Sequence, residues 1–424
     1  MTNSLRLIAV IALPACSSLT DVQAPDVTGI DELSNIAGAD VLRNGAWIRL
    51  SYTDAYQAYF TGLVSDEFTS GSDSDLADGR AESITYDPAR GIGTTMYLYA
   101  QQARVNSLQA LPVMQKYYPA SRRSDIGRIF AVAGFAELYM GEAMCSGVPL
   151  SYADVSGFTY GSPISSDSML KVALAHFDSG LVYAADSVRI LNFVRVGRAR
   201  TLQQLNRHAD AAATVAAVPT TYVLNTDFVA TAITNVVYSA MSGRTFGVAD
   251  KEGINGLDFI SAGDPRVQTV FVGLGANGYT QINRFAKYSG TLTQFPIASG
   301  IEARLIEAET MLAGGNAAGA LAKLNDLRAT QISPALAPLT DAGTPAARLD
   351  QLMRERAFWL YATGHRLGDL RRLVRQYGRA TESVFPTGVW RQGTTYGKGV
   401  ALTASSGEGV NPNYVGSKCD NTVP

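Results

Sequence analysis

Residues 301–329 read IEARLIEAETMLAGGNAAGALAKLNDLRA, and the parsing of this stretch decides the fold of the chain. Ser299 and Glu302 form an S-x-x-E capping box, and Ile301, Leu305, Ala308 and Leu312 recur at helical spacing, which predicts a helix over 301–313. Gly314-Gly315-Asn316 ends it. Ala317, Ala320, Leu321, Leu324 and Leu327 then make a second apolar helical stripe, so the pair forms a short-loop hairpin. Further on, Thr344 is placed to cap a third helix with Pro345 at its first position, where a missing N–H costs nothing. Leu349, Leu352, Met353, Ala357, Leu360 and Tyr361 continue it, and Gly364 is a natural stop. Arg354, Glu355, Arg356, His365, Arg366, Asp369, Arg371 and Arg372 crowd the same region. That density admits a catalytic or anion-binding site, but ion pairs fixing the angle between the last two helices are the favoured reading.

Helical hairpins also recur nearer the amino terminus. Periodic apolar residues predict helices over 39–64, 94–114, 125–144, 167–185, 191–208 and 209–218, the last ended by Pro219. Tyr52, Tyr56 and Tyr59 share one face of the first of these, a stripe read as core in preference to a ligand platform. Between the first two helices lies a polar loop with Asp73, Asp75, Asp78 and Gly79. Its spacing departs from a calcium loop and lacks the Glu at the twelfth position, so no metal is expected. Helical periodicity fades after Met241, and aromatic residues then scatter through Gly-rich sequence. Residues 219–298 are therefore read as an irregular aromatic-rich insert, flanked by helical hairpins over 36–218 and a helical core over 299–380, with a loop-rich tail over 381–424. Stacked hairpins of this kind bury a continuous core, and one compact body is expected.

The chain has 424 residues, with 35 basic against 37 acidic side chains and a net charge of −2, which leaves no electrostatic footprint for nucleic acid. Residues 1–15 hold Arg6 followed by the apolar run Leu7–Leu13, too short to span a bilayer and readable as a signal peptide. Leu13-Pro14-Ala15-Cys16 resembles a bacterial lipobox with Cys16 as the lipidated residue, an ordinary secretory signal being the other reading; residues 16–35 suit a tether. Cys145 and Cys419 are the even pair that remains, and in an exported protein they form either a disulfide or two buried small hydrophobes. His176, His208 and His365 stand apart, and neither H-E-x-x-H, nor a P-loop, nor a G-x-S-x-G elbow is present, so no enzyme activity and no cofactor are expected.

Ala308 and Ala320, twelve residues apart around Gly315-Asn316, match the small helix-contact positions of a tetratricopeptide repeat. Together with LDQLMRERAFWLYATGHRLGDLRRLVRQYGR at 349–379, FPTG at 385–388 and NPN at 411–413, this order of blocks resembles the carboxyl half of the SusD/RagB family of outer-membrane nutrient-binding lipoproteins. The resemblance implies a mainly α protein of tetratricopeptide-like hairpins forming a SusD-like solenoid. It also implies a lipid-anchored, surface-exposed position on the outer membrane and a SusC-like TonB-dependent transporter as partner. An oligosaccharide or peptide would be bound without cleavage and delivered to that transporter. Carried over by position, the ligand contacts are Asp66, Asp73, Arg80, Tyr97, Tyr288 and Trp390, although MYLYAQQARVNSL at 96–108 lacks the Trp and the Ala-Asn pair often found there. The rival reading is an envelope scaffold of the same repeats that binds only protein.

Overall fold

A computed structural model describes residues 33–72, 93–154, 157–231, 233–390, 393, 395–414 and 419–424. Six helices precede the insert: α1 (Ile36–Val64), α2 (Thr94–Tyr117), α3 (Arg123–Ala143), α4 (Ser166–Tyr183), α5 (Val188–Gln204) and α6 (His208–Val215). They pack in sequence order, each against the next. The short α7 (Val236–Ser242) lies within the insert. The hairpin α8 (Gly300–Ala313) and α9 (Ala317–Thr330) follows, then α10 (Pro345–Trp359), α11 (Arg366–Arg375) and the single turn α12 (Thr381–Val384). None of the helices among the described residues is long and apolar enough to cross a membrane.

The caps are the ones that the sequence offers. Ser299 accepts a hydrogen bond from the Glu302 amide at 3.1 Å, Asn316 from the Gly319 amide at 2.9 Å and Thr344 from the Ala347 amide at 3.2 Å. Each satisfies one of the free amides of a first helical turn. Gly315 turns α8 into α9 with φ +82°, a conformation that a side chain resists. Close packing of α4 and α5 has a similar origin, since a Cβ at Gly197 would meet the Phe177 ring at 2.4 Å.

Strands serve as clasps between helices. Among the described residues five two-stranded antiparallel pairs form: β1 (Phe68–Ser70) with β7 (Phe246–Val248), β2 (Val148–Pro149) with β5 (Pro163–Ile164), β3 (Tyr152–Asp154) with β4 (Gly157–Thr159), β6 (Val223–Asn225) with β10 (Pro296–Ser299), and β8 (Thr269–Leu274) with β9 (Gln281–Phe285). Phe68 opposite Val248 thus ties the end of α1 to the insert. Near the carboxyl end, Met144 and Leu402 bridge, and Cys145 and Cys419 form a disulfide with Cα atoms 5.4 Å apart, fastening the tail to the end of α3.

Three apolar clusters follow. The largest joins α1 to α5 with α8 and α11 through Phe135, Phe177, Phe193, Leu202, Ile306 and Leu370. A small one holds Leu305 and Ala308 of α8 against Leu324 and Leu327 of α9 and Leu352 of α10, and Ala320 is likewise 4% exposed. The third is made by the insert. Phe228, Phe246, Phe259, Phe285, Tyr288 and Phe295 are all buried there, packed on Phe358 and Tyr361 of the α10 end and on Ala55 and Ala58 of α1. Most aromatics of the irregular insert thus build a second core, because α1 and α10 present it with an apolar wall that must be covered. Phe271 and Tyr279 on the β8–β9 hairpin are the exposed exceptions, at 58% and 52%.

Candidate binding site on the first two helices

The crowded Arg and carboxylate residues of the carboxyl half resolve mainly into closed ion pairs. Arg356 forks onto Asp369 at 2.8 and 2.9 Å, Arg372 bridges Asp369 and Glu309, and Arg200 forks onto Glu142 at 2.8 and 2.6 Å, all buried. His365 lies 3.2 Å from Glu302 and 2.9 Å from Arg200. The two arginines hold the Asp369 carboxyl well below the usual carboxylate range against the opposing effect of burial. These groups fix α11 against α3, α5, α8 and α10 and are sealed from solvent, so they are framework.

Four of the sequence-predicted ligand contacts are also buried and engaged. Asp66 accepts from Nε and Nη2, one edge of the Arg366 guanidinium, at 2.6 and 2.9 Å and from the Leu257 amide at 2.9 Å. The Tyr97 hydroxyl donates to Glu408 at 2.5 Å, and burial together with that carboxylate pushes its pKa up. The Tyr288 hydroxyl donates to the Ala362 carbonyl at 2.7 Å and helps hold Ala362 at φ +58°. Trp390 is 1% exposed. Each of the four sits in its own packing environment, and the structure does not bring them together around an open cleft. Asp73, Arg80 and Cys16, with the acidic loop residues Asp75 and Asp78, lie outside the described residues.

An aromatic surface does form, two residues away from Tyr97. Tyr99 stacks on Tyr52, centroids 4.7 Å apart and planes 16° from parallel, and on Tyr56 at 5.4 Å and 24°. Tyr56 continues onto Phe60 at 5.9 Å and 18°. The Arg49 guanidinium carbon stands 5.7 Å from the Tyr52 ring centre and 5.6 Å from that of Tyr99. Arg49, Tyr52 and Tyr56 fall at i, i+3 and i+7 of α1 and so share one face, while α2 supplies Tyr99 from the edge of its buried stripe. All four side chains are half-buried, and Leu98 beside them is exposed. Tyr59 meets Phe60 edge-on at 4.7 Å and Phe246 edge-on at 4.5 Å, linking the group to the insert core.

Burial, and then the neighbouring Tyr99, push the Tyr52 and Tyr56 hydroxyls above their ordinary pKa, so they are neutral donors at physiological pH. Among the described residues the Tyr56 and Tyr99 hydroxyls have no hydrogen-bond partner, which leaves donor and acceptor capacity at the rim of the stack. Aromatic surface bordered by unspent polar groups and one guanidinium suits a ligand with apolar C–H faces and many hydroxyls. The Tyr52 and Tyr56 stripe is legible in the sequence, but as core. Tyr99 carries the distinction, and a helix pattern does not say what covers the edge of a stripe.

A helical repeat protein with clasped hairpins and an aromatic surface is the class that these features define. No family model matches the sequence, and no curated protein matches it. Solved structures do: a SusD-like carbohydrate-binding protein from Bacteroides vulgatus ATCC 8482 (TM-score 0.59, 14% identity, covering 79% of this chain and 83% of that one), a SusD superfamily protein from Bacteroides fragilis (0.60, 14%, 79% and 89%) and a SusD-like protein from Bacteroides fragilis NCTC 9343 (0.62, 13%, 89% and 93%). The chain therefore has the SusD-like fold, as its carboxyl-terminal blocks predict.

Proposed function

We propose that this chain is a non-catalytic nutrient-binding lipoprotein of the bacterial outer membrane, held there by acylation of Cys16, that binds an oligosaccharide and delivers it to a TonB-dependent transporter. The stacked Tyr52, Tyr56 and Tyr99 with Arg49 alongside is the observation that carries the reading. A pyranose lays its C–H face on such rings and gives its hydroxyls to Arg and Tyr groups at their edge, whereas a peptide backbone asks for paired amide donors and acceptors that this surface lacks. The fold supports the assignment, since one of the similar structures is described as carbohydrate-binding. A disulfide between Cys145 and Cys419 accords with an exported chain. Asp73 and Arg80 are proposed as further polar contacts, with Asp66, Tyr97, Tyr288 and Trp390 supporting the site as framework.

Two measurements test this. Calorimetric titration with a panel of neutral oligosaccharides is expected to give saturable binding that Tyr99→Ala weakens; binding of oligopeptides alone overturns the ligand assignment. Affinity purification from detergent-extracted outer membranes is expected to retain a large β-barrel protein in stoichiometric amount. Recovery with no barrel overturns the transporter assignment and favours a scaffold.

A further inference from the structure

A second concave site lies in the carboxyl half and shares no residue with the tyrosine surface. The cavity measures ≈ 240 Å³ and is lined by Arg354, Arg366, Arg379, Asp350, Asn255 and Ser383 on its polar side. Leu257, Met353, Leu370, Leu373 and Val384 form the apolar side. Each of the three guanidinium groups on this small cavity has N–H groups committed to a carboxylate and others with no partner among the described residues. Arg366 is 6% exposed, and its Nε and Nη2 are turned to Asp66, while Nη1 has no hydrogen-bond partner among the described residues. Arg354 gives Nη1 to Asp258 at 2.5 Å. Arg379 gives Nη2 to Asp350 at 2.8 Å and to the Ala346 carbonyl at 3.0 Å. Asn255 is spent on the Phe385 carbonyl and the Thr387 amide, and Ser383 on the Ala380 carbonyl, so the arginines supply the open donors.

We propose that this cavity binds a small organic monocarboxylate, its carboxylate taken by the free edges of Arg366, Arg354 and Arg379 and its hydrocarbon body lying on Leu257, Met353, Leu370, Leu373 and Val384. A guanidinium N–H open to a cavity is a ready donor, and a charged acceptor makes the strongest bond with it. Asp66, Asp258 and Asp350 balance the three positive charges one for one, so the local field selects a singly charged group over a multiply charged one. Asp66 and Asp258 hold the Arg366 and Arg354 guanidinium groups in place, while Asp350, which pairs with Arg379, shares the cavity lining. The volume falls below the roughly 300–1,000 Å³ of sites for drug-sized ligands, which confines the occupant to a small acid.

The test is titration calorimetry on the full chain with 3-phenylpropionate, its neutral amide and inorganic phosphate. The acid is expected to bind saturably and at least about tenfold more tightly than either of the others. Arg354→Gln and Arg379→Gln, at half-buried rim positions, are each expected to weaken the acid several-fold. Ser383→Trp, which crowds the mouth and leaves every arginine in place, is expected to abolish binding. An amide or phosphate that binds as well as the acid overturns the proposal, as does an acid that fails to bind at millimolar concentration or binds the Arg variants undiminished. Oligosaccharide titrations on the same variants are expected to be unaltered, so failure here and failure of the tyrosine site are read separately.

Discussion

Two groups of aromatic side chains, in the insert and on α1 and α2, are packed differently. Phe259, Phe285 and Phe295 are each 3% exposed or less and pack edge-on or tilted against Tyr288, Phe358 and Tyr361, while Phe246, 1% exposed, stacks on the buried Phe68. Tyr52, Tyr56 and Tyr99 stack nearly parallel and stay half-buried beside a cation. Rings enclosed on every side fill a core, whereas a parallel stack at the rim of two helices leaves outer surface for a flat partner. The insert rings are therefore expected to carry stability and the helix rings affinity, and substitutions on each side separate the two.

Phe285→Ala is the largest expected effect. Removing this ring from between Tyr288 and Tyr361 opens a cavity and is expected to cost about 3–5 kcal/mol in urea unfolding, with the oligosaccharide affinity of the folded fraction unchanged. A stable Phe285→Ala protein, or one that folds and no longer binds, breaks the division.

Glu67 tests the same buried side through pH. Its Oε1 accepts the Ala362 amide at 3.1 Å, its Oε2 has no partner, and burial pushes its pKa up from 4.5 to about 8. Between pH 4.5 and 8 the folded chain therefore keeps a proton that the unfolded chain has released. The unfolded state binds fewer protons across that window, so stability falls as pH rises through it. Glu67→Gln keeps the acceptor and removes the titration. It is expected to flatten the stability profile over this range and to gain about 1–3 kcal/mol at pH 9, measured by urea unfolding at several pH values. An unchanged slope sinks the assignment.

How far these roles were legible in the sequence follows from what period and order can encode. The α8–α9 hairpin was legible because a capping box, a Gly-Asn turn and small residues at two spaced positions are all local. The ion-pair reading of Arg356 and Arg372 held for the same region, since their carboxylate partners sit a helix away in short, predictable geometry. The insert was not, because the fate of Phe246 or Phe285 depends on walls supplied by α1 and α10 from far along the chain. Tyr97 and Tyr99 show the limit most sharply: two positions apart on one helix, one is sealed by Glu408 of the tail and the other lies on Tyr52 of α1. Only tertiary contacts more than forty residues away distinguish them.

Tyr99→Ala comes next in size. A parallel stack contributes about 0.5–1.5 kcal/mol beyond its area, so stability is expected to drop by about 1 kcal/mol while saccharide affinity falls about tenfold. Tyr97→Phe, which removes only the hydroxyl bonded to Glu408, is expected to leave affinity unchanged. The reverse ranking moves the site to Tyr97.

Arg49 is the smallest and the most discriminating test. Its guanidinium lies near the Tyr52 and Tyr99 rings at partly exposed positions, where such a contact adds about 0.5–1 kcal/mol. Arg49→Ala should therefore change unfolding stability little. If the cation only braces the two rings, affinity falls with stability and Arg49→Lys restores both, because an ammonium serves a ring face too. If it also donates to ligand hydroxyls, affinity falls about three- to tenfold, beyond the stability loss, and Lys restores stability without affinity, since a planar fork and a point charge are not interchangeable. Calorimetry and urea unfolding on the two variants distinguish these cases. An affinity equal to that of the parent chain in Arg49→Ala removes the cation from the site and leaves the three tyrosines to carry it alone.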